Sequence, residues 1–249
     1  MENLFLKTSD GVKIAVNHYK SNKNEVLIIA PGWFMTKDSR LFLSIANEFK
    51  SRFDVLAMDF RGHGKSSGSF TFTSKESADL KTVVDFARAK YEKVYLMGFS
   101  LGGALVLIHG AAEQNVDKII AVSAPCDFSK IENHMWHKGA WFMTIFKKAD
   151  LRQWLSIRPS LSGLIAGKKV KPVDIVDKIK TPTLFVAGEC DPTVHAWHTQ
   201  ALFDKAVCEK HFELFEKCFH AEDLFMQDKE RFLKICGNWL DTPILKSYI

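Results

Sequence analysis

Gly98-Phe99-Ser100-Leu101-Gly102-Gly103 lies between a β-rich run, Lys93 to Met97, and a helical pattern, Leu101 to Ala112. The spacing is G-x-S-x-G in a strand–turn–helix setting, the setting that gives this motif its meaning. A turn this sharp brings its flanking positions against neighbouring backbone, and the small residues at Gly98 and Gly102 permit that approach. Ser100 is thereby raised at a strand end with its hydroxyl exposed. The N-terminus of the following helix favours negative charge developing there.

Working outward, the same strand–helix rhythm covers most of the chain. Leu4 to Leu6 and Val12 to Tyr19 read as an antiparallel pair turned at Ser9-Asp10-Gly11. Val26 to Ala30 is a continuous apolar run, the pattern of a strand buried on both faces. A helix is expected over Ser39 to Phe49, a strand over Phe53 to Met58, and a helix opened by the capping-box pattern Thr73-Ser74-Lys75-Glu76. Further strands are expected at Ile119 to Ser123, Thr183 to Ala187 and His211 to Phe215, and a closing helix over Ala221 to Leu240. Such alternation predicts a mainly parallel sheet with helices on both faces. Residues 126–171 break the rhythm: they carry no strand pattern and are rich in aromatic residues. They read as a helical insertion into a core made of residues 1–125 and 172–249, placed over the carboxyl edge of the sheet where such folds keep their sites.

Composition narrows the function classes. A chain of 249 residues with 47% hydrophobic residues can bury a large core as one unit. No run of eighteen apolar residues is present, so no membrane span is expected. The start, Met1-Glu2-Asn3-Leu4-Phe5, lacks the basic and apolar regions of a signal peptide, and a cytoplasmic location is the expectation. Five cysteines, odd in number and without C-x-x-C spacing, fit a reducing compartment better than a disulfide framework or a metal site. The net charge of +5 is dispersed, and the densest patches, Lys147-Lys148 and Lys168 to Lys171, read as solvated faces rather than a nucleic-acid surface.

A serine hydroxyl is a weak nucleophile and needs a base, which in turn needs an orienting acid. His220, between the last strand and the closing helix, is the candidate base. Asp191, in the tight loop Gly188 to Val194, is the leading candidate acid, with Asp127 and Glu189 as alternatives. All lie on loops at the carboxyl ends of strands, the edge that carries Ser100. An attacked carbonyl becomes an oxyanion, which requires donors already in place. The amide of Leu101 is one candidate, and that of Trp33 in Pro31-Gly32-Trp33-Phe34 the other. Cys190 and Cys218 flank the two acid–base loops.

Taken together, Gly98 to Gly102, Asp59-Phe60-Arg61-Gly62-His63-Gly64-Lys65-Ser66, Gly188 to Val194 and Phe219-His220 resemble the α/β-hydrolase superfamily over nearly the whole chain. Within it, the insertion and the Asp-Phe-Arg-Gly segment are most similar to carboxylesterases that include cinnamoyl and feruloyl esterases. The resemblance implies an eight-stranded, mostly parallel sheet with a helical lid. It also implies a Ser100-His220-Asp191 triad acting through an acyl-enzyme on a small-molecule carboxylic ester, with no metal or organic cofactor. One departure stands out: the family usually carries His-Gly where this chain has Pro31-Gly32. The insertion's Trp136, Trp141 and Phe142 are candidate contacts for an apolar or aryl acyl group. The same triad would also serve a thioesterase or an acyltransferase, and a ligand-binding homologue without catalysis is a further class. Oligomeric state is not encoded in any of these motifs.

Overall fold

The computed structural model describes residues 1–131, 156–160 and 169–243. Eight strands form one sheet: β1 (Glu2–Lys7), β2 (Lys13–Tyr19), β3 (Glu25–Ala30), β4 (Asp54–Met58), β5 (Lys93–Phe99), β6 (Lys118–Val122), β7 (Thr183–Gly188) and β8 (Lys210–Phe215). Their order is β1-β2-β4-β3-β5-β6-β7-β8. Only β2 runs against its neighbours, since β1–β2 and β2–β4 pair antiparallel and every other pairing is parallel. The described helices are α1 (Arg40–Phe49), α2 (Glu76–Arg88), α3 (Leu101–Ala112), α4 (Ala196–Lys205), α5 (Asp223–Gln227) and α6 (Lys229–Asp241).

The alternation of side chains along β3 shows why the fold needs two helical layers. Val26, Ile28 and Ala30 face one apolar cluster, which includes Leu80, Val83 and Val84 of α2 and Leu105 of α3. Leu27 and Ile29 face the other, with Phe42, Ile45 and Phe49 of α1 and Phe232, Cys236 and Leu240 of α6. A strand hydrophobic at consecutive positions has no face to give to water, so both faces must be covered.

Two local expectations are corrected. Thr73 does not cap α2. The chain passes through the left-handed region at Phe72 (φ 53°) and Thr73 (φ 76°), which leaves the Thr73 hydroxyl buried and without a partner among the described residues. Glu76 instead turns back on its own, accepting from the Thr71 amide at 2.6 Å, the Thr71 hydroxyl at 2.9 Å and the Lys75 amide at 3.3 Å. The closing helix is also not continuous. Asp228 leaves helical geometry (φ −141°, ψ 70°) and caps α6 by accepting from the Arg231 amide at 3.3 Å, so α5 and α6 are separate.

Residues 156–160, the described part of the middle of the insertion, run beside the turn that follows β4. The Arg158 amide donates to the Gly62 carbonyl at 2.8 Å, Phe70 donates to the Arg158 carbonyl at 2.8 Å, and Ser160 donates to the Phe70 carbonyl at 2.9 Å. Trp136, Trp141 and Phe142 lie outside the described residues. The turn itself is fastened by Arg61, which is 3% exposed and forks between two carboxylates. It reaches Asp79 of α2 at 2.7 and 2.9 Å and Asp10 of the β1–β2 turn at 2.7 Å. Burial pushes the Asp79 carboxyl up to about 6 even with Arg61 pulling the other way.

Removing one member of such a buried pair leaves the other uncompensated. Arg61→Met is therefore expected to lower unfolding stability by about 3–5 kcal/mol in a urea titration at neutral pH. A loss under about 1 kcal/mol, the range of an exposed ion pair, would show that the pair does not hold the turn.

Candidate active site

Ser100 is the single residue between β5 and α3, and its backbone sits at φ 52°, ψ −112°. A non-glycine residue held there stores on the order of 1–3 kcal/mol of strain, which persists only where the surroundings over-determine it. They do. The Ser100 amide donates to the Val122 carbonyl of β6 at 2.8 Å, and its carbonyl accepts from Ala104 at 3.0 Å. A Cβ on Gly98 would come within 2.2 Å of the Gly102 carbonyl oxygen, and one on Gly102 within 2.2 Å of that of Ala30. Both glycines are therefore obligatory for the chain to turn this tightly.

The loop after β3 crosses this elbow. A Cβ on Gly32 would stand 3.3 Å from the Ser100 Cβ, so the loop meets the nucleophile candidate at Gly32, and Trp33 is the residue that follows. Met35 donates back to the Gly32 carbonyl at 3.2 Å and Phe34 takes φ 63°, closing a compact turn. Among the described residues neither the Trp33 nor the Leu101 amide donates to a protein group. The Trp33 side chain, 41% exposed, lies on Phe34 (ring centroids 4.3 Å apart) and on Phe70 (6.0 Å).

The acid–base loops meet directly. Asp191 Oδ2 and His220 Nδ1 are 2.6 Å apart. The other carboxylate oxygen accepts from the amides of Thr193 at 2.9 Å and Val194 at 2.8 Å. Burial of Asp191 opposes its charge, but His220 and these two amides outweigh it and hold the carboxyl below its usual range. With Nδ1–H given to Asp191, the Nε2 of a neutral His220 keeps its lone pair. The alternatives are engaged elsewhere: Asp127 is held by Lys171 at 2.8 Å and by Ser129, and Glu189 accepts from the Lys217 amide at 2.9 Å.

Backbone bonds splice these loops together. Glu189 donates to the Phe215 carbonyl at 3.0 Å and Cys190 to the Cys218 carbonyl at 2.9 Å, so the two cysteines flanking the acid and base are neighbours. Both are free thiols. Ser123, just beyond β6, donates its amide to Val186 at 2.7 Å and accepts on its hydroxyl from the Ala221 amide at 3.0 Å. The residue after His220 is thus tied to Ser123, next to the Val122 carbonyl that takes the Ser100 amide. Nothing in the sequence singles out Ser123, because its partner lies in a different loop of the chain. His63 is buried against Phe70 with its ring centroid 5.0 Å away, and burial lowers its pKa to about 4. Among the described residues no cluster of three His, Cys, Asp or Glu side chains is placed to hold a metal ion. None of the described helices is long and apolar enough to cross a membrane.

The family model of the alpha/beta hydrolase fold matches residues 25–161. The chain belongs to the α/β-hydrolase family. Among curated relatives of this α/β-hydrolase, the uncharacterized protein YqkD of Bacillus subtilis is 25% identical over 76% of the chain and 62% of its own length. The pimeloyl-[acyl-carrier protein] methyl ester esterase of Proteus mirabilis is 34% identical over 40% of the chain and 37% of its own length. The chain therefore covers less than two thirds of either relative. Among solved structures, the esterase Pf2001 of Pyrococcus furiosus superposes with a TM-score of 0.75 at 22% identity, covering 96% of this chain and 91% of that one. That likeness is one of fold.

The bonding pattern separates the candidate acids by experiment. Asp191→Asn, which removes the charge that fixes the imidazole tautomer, is expected to lower kcat on an activated aryl ester by about 10⁴-fold. Asp127→Asn touches neither His220 nor Ser100, and its loss should stay within about tenfold. Reversed losses would move the acid from the loop after β7 to the loop after β6.

Proposed function

We propose that this α/β-hydrolase is a serine esterase that cleaves carboxylic esters through a Ser100-His220-Asp191 triad and an acyl-enzyme. The 2.6 Å contact between Asp191 and His220 carries the reading, because a buried carboxylate on Nδ1 leaves Nε2 as the basic nitrogen. Nε2 accepts the Ser100 proton as Oγ attacks the ester carbonyl, and Asp191 stabilises the imidazolium that forms. The amides of Leu101 and Trp33 receive the oxyanion, with the N-terminus of α3 behind it adding favourable potential. His220 then returns the proton to the departing alcohol. Water, activated by the same imidazole, releases the acid and restores Ser100. The chemistry is complete with side chains and backbone alone.

For the acyl group, the reading is an apolar or aryl chain. The support is the ring cluster beside the elbow, Trp33, Phe34, Phe70 and Phe72, together with the aromatic content of the insertion that includes Trp136, Trp141 and Phe142. Aromatic surfaces of this kind line most small-molecule pockets and add about 1–3 kcal/mol of discrimination for a good contact.

A fluorophosphonate probe tests the nucleophile. The parent is expected to take one equivalent of label, and Ser100→Ala none. Ester kcat in Ser100→Ala should fall by roughly 10⁴–10⁶-fold while the melting temperature holds, because only a hydroxyl is removed and the backbone of the turn is unchanged. A folded Ser100→Ala protein that turns over ester at the parental rate would end the proposal. Comparing acetate with cinnamate esters in alanine variants of Trp136, Trp141 and Phe142 tests the acyl preference: a loss confined to the cinnamate supports it, and equal losses on both refute it.

A further inference from the structure

Lys37 is among the largest fully buried side chains of the protein, in the company of Phe42, Phe49 and Phe60. It lies on the same loop as Trp33. Its backbone amide donates to Asp59 Oδ1 at 2.7 Å. Its Nζ donates to Asp38 Oδ2 at 2.9 Å and stands 3.8 Å from Asp59 Oδ2. The second oxygen of Asp59 also accepts from the Lys65 amide at 2.9 Å. One wholly buried carboxylate therefore spans the loop after β3 and the turn after β4.

Asp59 is itself immobilised. Its amide donates to the Ala15 carbonyl of β2 at 2.9 Å, and its carbonyl accepts from the Ser66 hydroxyl at 2.7 Å. That hydroxyl in turn accepts from the Ala15 amide at 2.8 Å. Asp38 completes the cluster, held by Asn17 at 2.8 Å and Lys65 Nζ at 2.9 Å. The anchor thus acts on the backbone of the Trp33 loop directly, and its other end is the sheet.

Stability alone does not account for a charge here. Replacing a buried ion pair by apolar side chains of similar volume is often neutral or stabilising, whereas ion pairs do fix one geometry among several. An oxyanion donor needs such fixing, because it must sit within hydrogen-bond reach of an atom that exists only in the transition state. We propose that the buried Lys37–Asp59 pair is a positioning element for the oxyanion loop, holding the path from Gly32 to Lys37 so that the Trp33 amide stays beside Ser100. This role rests on the esterase reading above.

Asp59→Asn tests it, since the new Nδ2 would turn a donor toward the donors of Lys65 and Lys37. Lys37→Met/Asp59→Asn is the companion variant, which removes both charges together and leaves neither buried alone. Both are measured for melting temperature, kcat, KM and the rate of fluorophosphonate labelling, which also builds a tetrahedral centre in the oxyanion site. The expected result is a folded protein whose kcat and labelling rate fall together by about 10–100-fold, less than the 10²–10³-fold of losing a donor outright, with KM within about threefold. Parental kcat and labelling rate in either folded variant would overturn the role, as would a rise in KM at constant kcat. An activity loss that only matches the unfolded fraction would overturn it as well. A parent protein that takes no label would overturn the esterase reading itself, and this role with it.

Discussion

The left-handed turn at Ser100 constrains more of this molecule than any other feature. For one residue to reverse the chain between β5 and α3, the backbones on either side must touch, and the sequence answers with Gly98 and Gly102. The same closeness brings the loop after β3 down onto the elbow, where a Cβ on Gly32 would stand 3.3 Å from that of Ser100. Strain there is affordable only because β6 holds the Ser100 amide and because β5 has neighbours on both sides of the sheet. The site is an outgrowth of the sheet's middle rather than a loop assembly resting on it.

Parallel pairing then collects the remaining parts. β5, β6, β7 and β8 are consecutive in the sheet and point the same way, so their carboxyl ends share one edge. Asp191 leaves β7 and His220 leaves β8 at that edge, the edge at which Ser100 follows β5. The edge exists only once the four strands have docked, so the site depends on pairings between residues far apart in the chain.

Much of this was legible in the sequence because its signals are local. Consecutive apolar residues in Val26 to Ala30 specify a strand covered on both faces, and the spacing of Gly98, Ser100 and Gly102 specifies the elbow. The loops holding Asp191 and His220 follow strands with clear boundaries, and the two side chains do meet. What was hidden depends on partners far away in the chain. Lys37 carries no pattern of its own in the sequence, and its partner Asp59 is brought beneath it only by the sheet. Thr73 and Glu76 have the spacing of a capping box, but two successive left-handed residues redirect the hydroxyl, a backbone decision the pattern does not carry. The break at Asp228 is masked for a similar reason: apolar periodicity continues through it, and only the capping geometry of its carboxylate divides α5 from α6.

Val122 and Ser123 give the site an unusual mechanical reference. The first accepts the amide of Ser100 and the second the amide of Ala221, the residue after His220. The Val122 carbonyl lies in the rigid peptide plane that reaches to the Ser123 Cα, and the Ser123 hydroxyl is carried on the Cβ bonded to that atom. A shift of the β6 end would therefore carry the backbones of Ser100 and Ala221 in the same direction. The elbow that bears Ser100 and the loop that bears His220 thus share one anchor, in the way two instruments bolted to one rail travel with it.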